Sequence, residues 1–333
     1  MEKLLFHILI IFGFSSPAFG KVEISIPESR CETVDTLSFM NKEVKKLFST
    51  PTEQGSLGWC YGLTAAELIS AEIGMPVSAA HISALFNKKA ESNFFIRTMK
   101  KFLNSSSSDV YESGEIDLAI KNVLQKKVCL EDDMPFIDNS SGGLPSAILG
   151  LDRARKAKLK GEEEYACHEI ANSKALLNLE YSIKEIMEVL DQYSLNSGIE
   201  KLMDQHCGDQ KIKVPIMKIK SIRVPRRGSN KELSAKLGKL FGKIEKKLVS
   251  GKPVGISYDA IKVSSYDSKH TGSVIGRKWF NGRCNFKIRN YWGDNCFEYN
   301  RKDISACKHN DSGAFWVTDQ KFFEMVYKIT LIE

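Results

Sequence analysis

From residue 60 the chain reads Cys60-Tyr61-Gly62-Leu63-Thr64-Ala65-Ala66-Glu67-Leu68-Ile69, followed by Gly74 and Pro76. Good helix formers closed by a glycine and a proline predict a helix whose first residue is a cysteine. A second helix is expected over 79–89 and a third over 115–125, where Ile116, Ala119, Ile120 and Val123 recur at helical spacing. Between 144 and 213 the chain is helical and charge-rich. There Leu176, Leu179, Ile183, Ile186 and Leu190 form a 3.6-period stripe that reads as an amphipathic helix packed on the protein's own body. A surface for a partner protein is the alternative use of that stripe. Past Pro225-Arg226-Arg227-Gly228, the positions Leu233, Leu237, Leu240, Ile244 and Leu248 mark another amphipathic helix with a solvated lysine face. From Pro253 the period changes to two, and 254–258, 273–276, 286–290 and 313–317 predict strands. Helices first and strands second argue an α+β fold.

The two ends of the chain change this picture. Met1-Glu2-Lys3 precedes an apolar run over 4–14 and then Ala18-Phe19-Gly20, the layout of a secretory signal peptide cut after Gly20. The run spans about 11 residues, short of the roughly 20 needed to cross a bilayer, so no membrane insertion is expected. Residues 21–51 read as an exposed N-terminal arm with one short alternating stretch stopped by Pro27, and 52–58 as a polar turn. The expected organisation is signal peptide 1–20, arm 21–51, helical lobe 52–143, helical insertion 144–228 and β-rich lobe 229–333.

Composition narrows the function. An apolar content of 42% and four Trp suffice for a real core. The net charge of +7 is modest, and no basic stretch carries the interleaved aromatics that stack on single strands, so no nucleic-acid partner is expected. Eight cysteines in an exported chain suggest disulfides. Cys296–Cys307 and Cys167–Cys207 are plausible local bridges, but sequence alone does not fix the connectivity, and an odd number of cysteines remains once Cys60 is set aside. No C-x-x-C pair occurs, and Cys167-His168 and His206-Cys207 are sequence neighbours with poor ligand geometry, so neither metal nor cofactor is expected.

The chemistry concentrates in Gln54-Gly55-Ser56-Leu57-Gly58-Trp59-Cys60-Tyr61. A cysteine at a helix N-terminus meets unpaired N–H groups and the positive end of the helix dipole, which favour the nucleophilic thiolate. Glycines such as Gly58 let the backbone come close to a substrate. Gln54 is suited to donate a side-chain N–H to an oxyanion, together with the Cys60 N–H. A thiolate needs a base, and the base an orienter. His270 opens one strand, and Asn290 ends the next in Asn290-Tyr291-Trp292-Gly293; antiparallel pairing would bring the two together. The other histidines lie in the apolar N-terminal run, inside a helix, beside cysteines or in polar loops.

Gln54 with Gly58-Trp59-Cys60-Tyr61 resembles the block around the nucleophile of papain-like cysteine peptidases. Asn290-Tyr291-Trp292-Gly293 resembles that family's Asn-Ser-Trp-Gly block, and His270-Thr271-Gly272-Ser273-Val274-Ile275-Gly276 its histidine block. Further stretches fall in the family's order: Val128-Cys129-Leu130-Glu131 to Pro135-Phe136, 252–259, and Gly313-Ala314-Phe315-Trp316. The resemblance implies a two-lobed papain-like fold with an inserted helical region. It further implies Cys60 as nucleophile, His270 as base, Asn290 as orienter, Gln54 as oxyanion donor, and Trp292 as shield over the His–Asn bond. Gly58, Trp59, Gly114 and Trp292 would border the substrate. The substrates implied are proteins or peptides.

The departures are specific. Trp59 replaces a small residue before the nucleophile, Leu57 a cysteine, and Ser113-Gly114 a Gly-Gly pair along the cleft. Cys60 and His270 stand 210 positions apart, against about 130–150 in papain-like enzymes. The excess falls on the helical insertion, which offers a partner surface or a self-inhibitory cover for the cleft. Residues 21–51 are short for an inhibitory propeptide. Two other readings keep the same residues: a non-catalytic binding protein, and another amide acyl transfer such as deamidation.

Overall fold

The computed structural model describes residues 25–55, 57–92, 114–136, 143–176, 180–191, 194–266, 269–294, 296–300, 302–308, 311 and 313–333. The expected signal peptide with its cut after Gly20, and Ser113 and Leu179, lie outside these residues.

Helix α1 (Lys42–Ser49) starts where the Asn41 side chain accepts from the Val44 N–H. Helix α2 (Cys60–Ile73) has no side-chain cap, because Trp59 stands at the capping position. Burial holds it instead: every residue from Cys60 to Ser70 is buried, as befits a helix with no polar face. Gly74 ends it at φ 74°, in the left-handed region where a side chain would be strained. Helices α3 (Ala79–Ser92) and α4 (Ile116–Val123) pack against it.

The segment expected as a helical insertion holds α5 (Gly143–Leu159), α6 (Glu163–Leu176), α7 (Ile183–Leu190) and α8 (Leu195–Cys207). The stripe from Leu176 to Leu190 is not one helix. Ser182 and Glu185 form a capping box that starts α7 afresh, a local signal stronger than the apolar period running across it. Leu144, Ile148, Leu151, Ile170, Ile186 and Leu202 join the same core as α2. After Cys207 the segment turns to strands. β3 (Lys211–Lys213) pairs with β2 (Lys127–Cys129), and β4 (Ile219–Arg223) joins the edge of the main sheet.

That main sheet is antiparallel, in the order β4, β10 (Val326–Ile332), β5 (Val254–Asp259), β6 (Lys269–Phe280), β7 (Arg283–Arg289), β9 (Ala314–Thr318) and β8 (Ala306–Cys307). Strand β1 (Val34–Asp35) adds to β6. Helix α9 (Asn230–Val249), capped by Ser229, buries Leu233, Leu237, Leu240, Ile244 and Leu248 in a second core with the sheet. The fold is α+β, with a helical lobe and a sheet lobe that each hold their own apolar core.

Two expectations need correcting. The arm is not simply exposed. It supplies β1 and α1, buries Val44 and Phe48, and is tied to β7 by a Cys31–Cys284 disulfide. Cys167 does not bridge Cys207. Pairing of β2 with β3 sets Cys129 opposite Lys211, just beyond Cys207, so the disulfide is Cys129–Cys207, and Cys167 on α6 is free. The Cys296–Cys307 bridge forms as expected.

Candidate active site

Cys60 is the first residue of α2 and only 9% exposed. Its carbonyl accepts the Thr64 hydroxyl at 3.0 Å, and Thr64 meets the Thr271 hydroxyl at 3.0 Å. Burial pushes the Cys60 thiol up, while hydrogen bonds to the Thr271 side chain and backbone, then the Tyr61 and Cys60 backbone, pull it down. Burial wins. The helix N-terminus expected to favour the thiolate is in place, and burial outweighs the hydrogen bonds that act with it.

Strand pairing places the imidazole. In the β5–β6 ladder Tyr258 stands opposite His270, and β7 delivers Asn290 from the other side. His270 Nε2 lies 2.6 Å from Asn290 Oδ1. An amide oxygen only accepts, so Nε2 carries the proton and Nδ1 is the bare, basic nitrogen. Asn290 is held in turn: the Tyr258 hydroxyl donates to Oδ1 at 3.3 Å, and Nδ2 donates to Tyr299 Oη at 2.7 Å. Trp292 lies over His270 with ring centroids 4.8 Å apart. Burial lowers His270 to about 4, the Asn290 hydrogen bond acting against it. Raised thiol and lowered imidazole together describe a neutral pair at rest.

Cys60 and His270 line one cavity of about 470 Å³, shared with Gln54, Gly58 and Trp292. Segments at 53–60, 266–270, 291–292 and 298 thus meet at one groove. The Gln54 N–H donates to Tyr291 O at 2.9 Å, and its side-chain oxygen is buried and accepts no hydrogen bond among the described residues. Two expected cleft residues are elsewhere. Trp59 is fully buried in the core of the helical lobe. Gly114 lies against the Tyr61 ring, where an added Cβ would stand 2.7 Å from Cγ, and is not among the cavity-lining residues. No residue of α5 to α8 lines this cavity either.

Sequence reasoning missed Tyr258, Tyr299 and Thr271, and also the cavity-wall residues Glu53, Tyr266, Lys269, Tyr291 and Glu298. Tyr258 had a usable signal: a phenol inside an otherwise apolar strand needs a partner for its hydroxyl. Also unforeseen was the joint behind the site. Glu67, on α2, is buried with Arg289 of β7, whose Nε bonds Oε1; Ser273 and Tyr291 hydroxyls donate to Oε2 at 2.6 and 2.7 Å. Arg289 Nη2 also donates to the Thr50 carbonyl and Thr52 hydroxyl, both at 2.9 Å. Among the described residues no group of three or more His, Cys, Asp or Glu is placed to hold a metal ion.

No protein-family model and no curated protein matches the sequence. Solved structures do align with it. One is xylellain, a cysteine protease from Xylella fastidiosa, at 14% identity and TM-score 0.43 over 94% of this chain and 91% of that one. Another is SERA5E from Plasmodium falciparum, at 9% identity and TM-score 0.46 over 93% and 97%. A third comes from work on the mite allergens Blo t 1 and Der p 1, at 10% identity and TM-score 0.45 over 94% and 73%. The chemistry of the site stands on this chain's own residues.

Proposed function

We propose that this protein is an exported papain-like cysteine peptidase that cleaves peptide bonds through Cys60, His270 and Asn290. The observation that carries the reading is the His270 Nε2–Asn290 Oδ1 hydrogen bond of 2.6 Å, behind the cavity that His270 and Cys60 line together. That bond leaves Nδ1 free to take a proton, which is what a thiol nucleophile requires.

In this reading the Cys60 sulfur attacks the peptide carbonyl while its proton passes to His270 Nδ1. Because the resting pair is neutral, proton transfer accompanies attack rather than preceding it. The new oxyanion takes hydrogen bonds from the Cys60 N–H and the Gln54 side-chain amide. Collapse breaks the C–N bond, and the leaving amine collects the proton from His270. Water, deprotonated by the same nitrogen, then hydrolyses the thioester. Trp292 covers the His270–Asn290 pair and keeps water from competing for it.

Export is supported by three disulfides, which persist in oxidising compartments. No helix among the described residues is long and apolar enough to cross a membrane. The apolar run at 4–14 would be the signal that directs it out.

The decisive test is labelling of the purified protein with a thiol-directed peptidyl epoxide. Modification of Cys60 with loss of peptide cleavage is expected, and Cys60→Ala should abolish turnover while leaving the unfolding midpoint unchanged. A folded protein modified on Cys167 alone, or not at all, would point to a binding protein. Cys60 modification without cleavage of any peptide would point to another amide acyl transfer. The acid limb of cleavage should lie near pH 4, because His270 stays unprotonated and basic above its lowered pKa of about 4. A limb at pH 6 to 7, near the ordinary histidine value of about 6.5, would show a charged resting imidazole instead.

A further inference from the structure

The cavity that holds Cys60 and His270 is electrically lopsided. On the side of Trp292 its wall carries two carboxylates, Glu53 and Glu298, and the phenol of Tyr266. On the opposite side stands Lys269, whose ammonium lies 5.7 Å from the centre of the Tyr327 ring. Tyr327 is on β10, two strands from β6 in one direction, whereas Asn290 and Trp292 follow β7 in the other. Among the cavity-lining residues the two carboxylates thus stand beside Trp292, while the one ammonium leans toward β10 and has Asp259 as its ladder partner.

The acidic side is also aromatic. The Trp292 ring packs against His270 with centroids 4.8 Å apart and against Tyr266 with centroids 5.0 Å apart, tilted by 33° and 49°. The Tyr266 hydroxyl donates to Glu298 Oε2 at 2.6 Å, and both Glu298 and Glu53 act on that hydroxyl to raise its pKa. Backbone pairing of Glu53 with Trp292 brings the Glu53 carboxylate against Gly293. Glu53 is exposed and Tyr266 is 44% exposed, so the wall faces solvent and an incoming chain.

Chemistry says which part of a substrate meets this wall. His270 gives its proton to the leaving amine, so the residues after the scissile bond must pass on the His270 side of the sulfur. Trp292, Tyr266, Glu53 and Glu298 are the groups that flank His270 there. Aromatic faces and carboxylates arranged together favour a cationic side chain, through cation–π attraction and through charge pairing. A carboxylate in the same place would meet two like charges in a partly desolvated groove.

We infer that Glu53 and Glu298, with Trp292 and Tyr266, select peptides carrying Lys or Arg at the first or second position after the bond that is cut. This rests on the peptidase reading above, with Cys60 as nucleophile. The two carboxylates are specificity determinants for the leaving half of the substrate, and Lys269 takes no part in holding it.

Two measurements separate the inference from the reading it rests on. In the first, the purified protein digests a peptide mixture of even composition and the cut sites are mapped by mass spectrometry. Lys and Arg are expected to be enriched just after the cut. In matched peptides, kcat/KM is expected to be about tenfold higher with Lys than with Glu at that position. The ratio should shrink in strong salt and fall towards one in the Glu53→Gln, Glu298→Gln double variant. Cleavage without that enrichment, or an enrichment that survives the double substitution, overturns the inference and leaves the peptidase reading standing. In the second, the Cys60→Ala variant binds the same Lys and Glu peptides in a calorimeter. The Lys peptide should bind about tenfold tighter. Equal affinities overturn the charge preference whether or not cleavage is ever seen. Failure of all cleavage, with no epoxide labelling of Cys60, overturns the peptidase reading alone.

Discussion

The two lobes deliver their halves of the site by different physical means. On the helical side, the sulfur sits where it does because α2 is buried on every side from Cys60 to Ser70, with no side-chain cap to set its start. On the sheet side, the imidazole is set by a ladder: Tyr258 opposite His270 and Ser273 opposite Arg289, with Asn290 just beyond. A helix positioned by packing can slide by fractions of an ångström, whereas a strand slipped by one residue turns every side chain to the other face. The site's precision therefore rests on the joint between lobes more than on either lobe alone. Glu67 and Arg289 form that joint, one from each side, with exposures of 3% and 0%.

Breaking the joint should give the largest effect. Arg289→Met leaves the Glu67 carboxylate buried with only the Ser273 and Tyr291 hydroxyls, and is expected to cost about 3–5 kcal/mol in denaturant unfolding. Replacing both partners, Glu67→Leu with Arg289→Met, should cost clearly less than the two single changes summed, because no uncompensated charge remains. If Arg289→Met costs under about 1 kcal/mol, the lobes are held together by apolar contact and the joint is decorative. Tyr291 supplies such contact, since its ring belongs to the core of the helical lobe although it follows a sheet strand.

The same contrast explains what could be read from the sequence. Periodicity located α4 and α9 and the strands β5, β6, β7 and β9, because each has one strong apolar pattern that burial then uses, while α2 was legible from its helix formers and the glycine and proline that close it. The residues Cys60, His270, Asn290 and Gln54 were legible as chemistry from their places at element ends, and the structure brings all four around one groove or its hydrogen bonds. What escaped were properties of pairing between distant segments. Cys129–Cys207 depends on the β2–β3 register, which no local spacing announces. Trp59 looked like a cleft residue from its neighbour in sequence, yet helix geometry turns it inward into the helical core. The Glu67–Arg289 pair spans 222 positions, and nothing near either residue marks the other.

A smaller effect should separate the supports of the sheet half. Tyr299→Phe removes the acceptor of Asn290 Nδ2 and leaves a buried donor unpaired, at an expected cost of about 1–3 kcal/mol. Tyr258→Phe loses only a 3.3 Å bond to an oxygen that keeps His270, and should cost less. Both variants should lower kcat more than they raise KM, because they act on the orientation of the base. An equal or larger loss from Tyr258→Phe in thermal unfolding would mean that Asn290 is oriented from the β5 side instead.

The mildest test compares the lobes through pH, since each hides one histidine. His270 in the sheet lobe and His81 in the helical lobe are both lowered to about 4 by burial. Between about pH 4 and the unfolded value of 6.5, the unfolded chain binds protons that these histidines refuse, so stability should rise with pH across that window. Glu131 works the other way. Its carboxyl accepts from the Phe136 and Ala79 N–H groups, and burial pushes it up to about 8. The folded protein then holds a proton the unfolded chain has lost, and stability should fall as pH rises from the ordinary carboxylate value towards 8. Above pH 6.5 the histidines are silent and Glu131 acts alone, with a slope no steeper than about 1.4 kcal/mol per pH unit. The thermal midpoint is therefore expected to peak near pH 6.5. Glu131→Gln should flatten the descending side, and His81→Phe should weaken the ascending side while leaving the His270 share. A midpoint still climbing between pH 6.5 and 8 would show that Glu131 is ionised in the folded state, with its two backbone hydrogen bonds outweighing its burial.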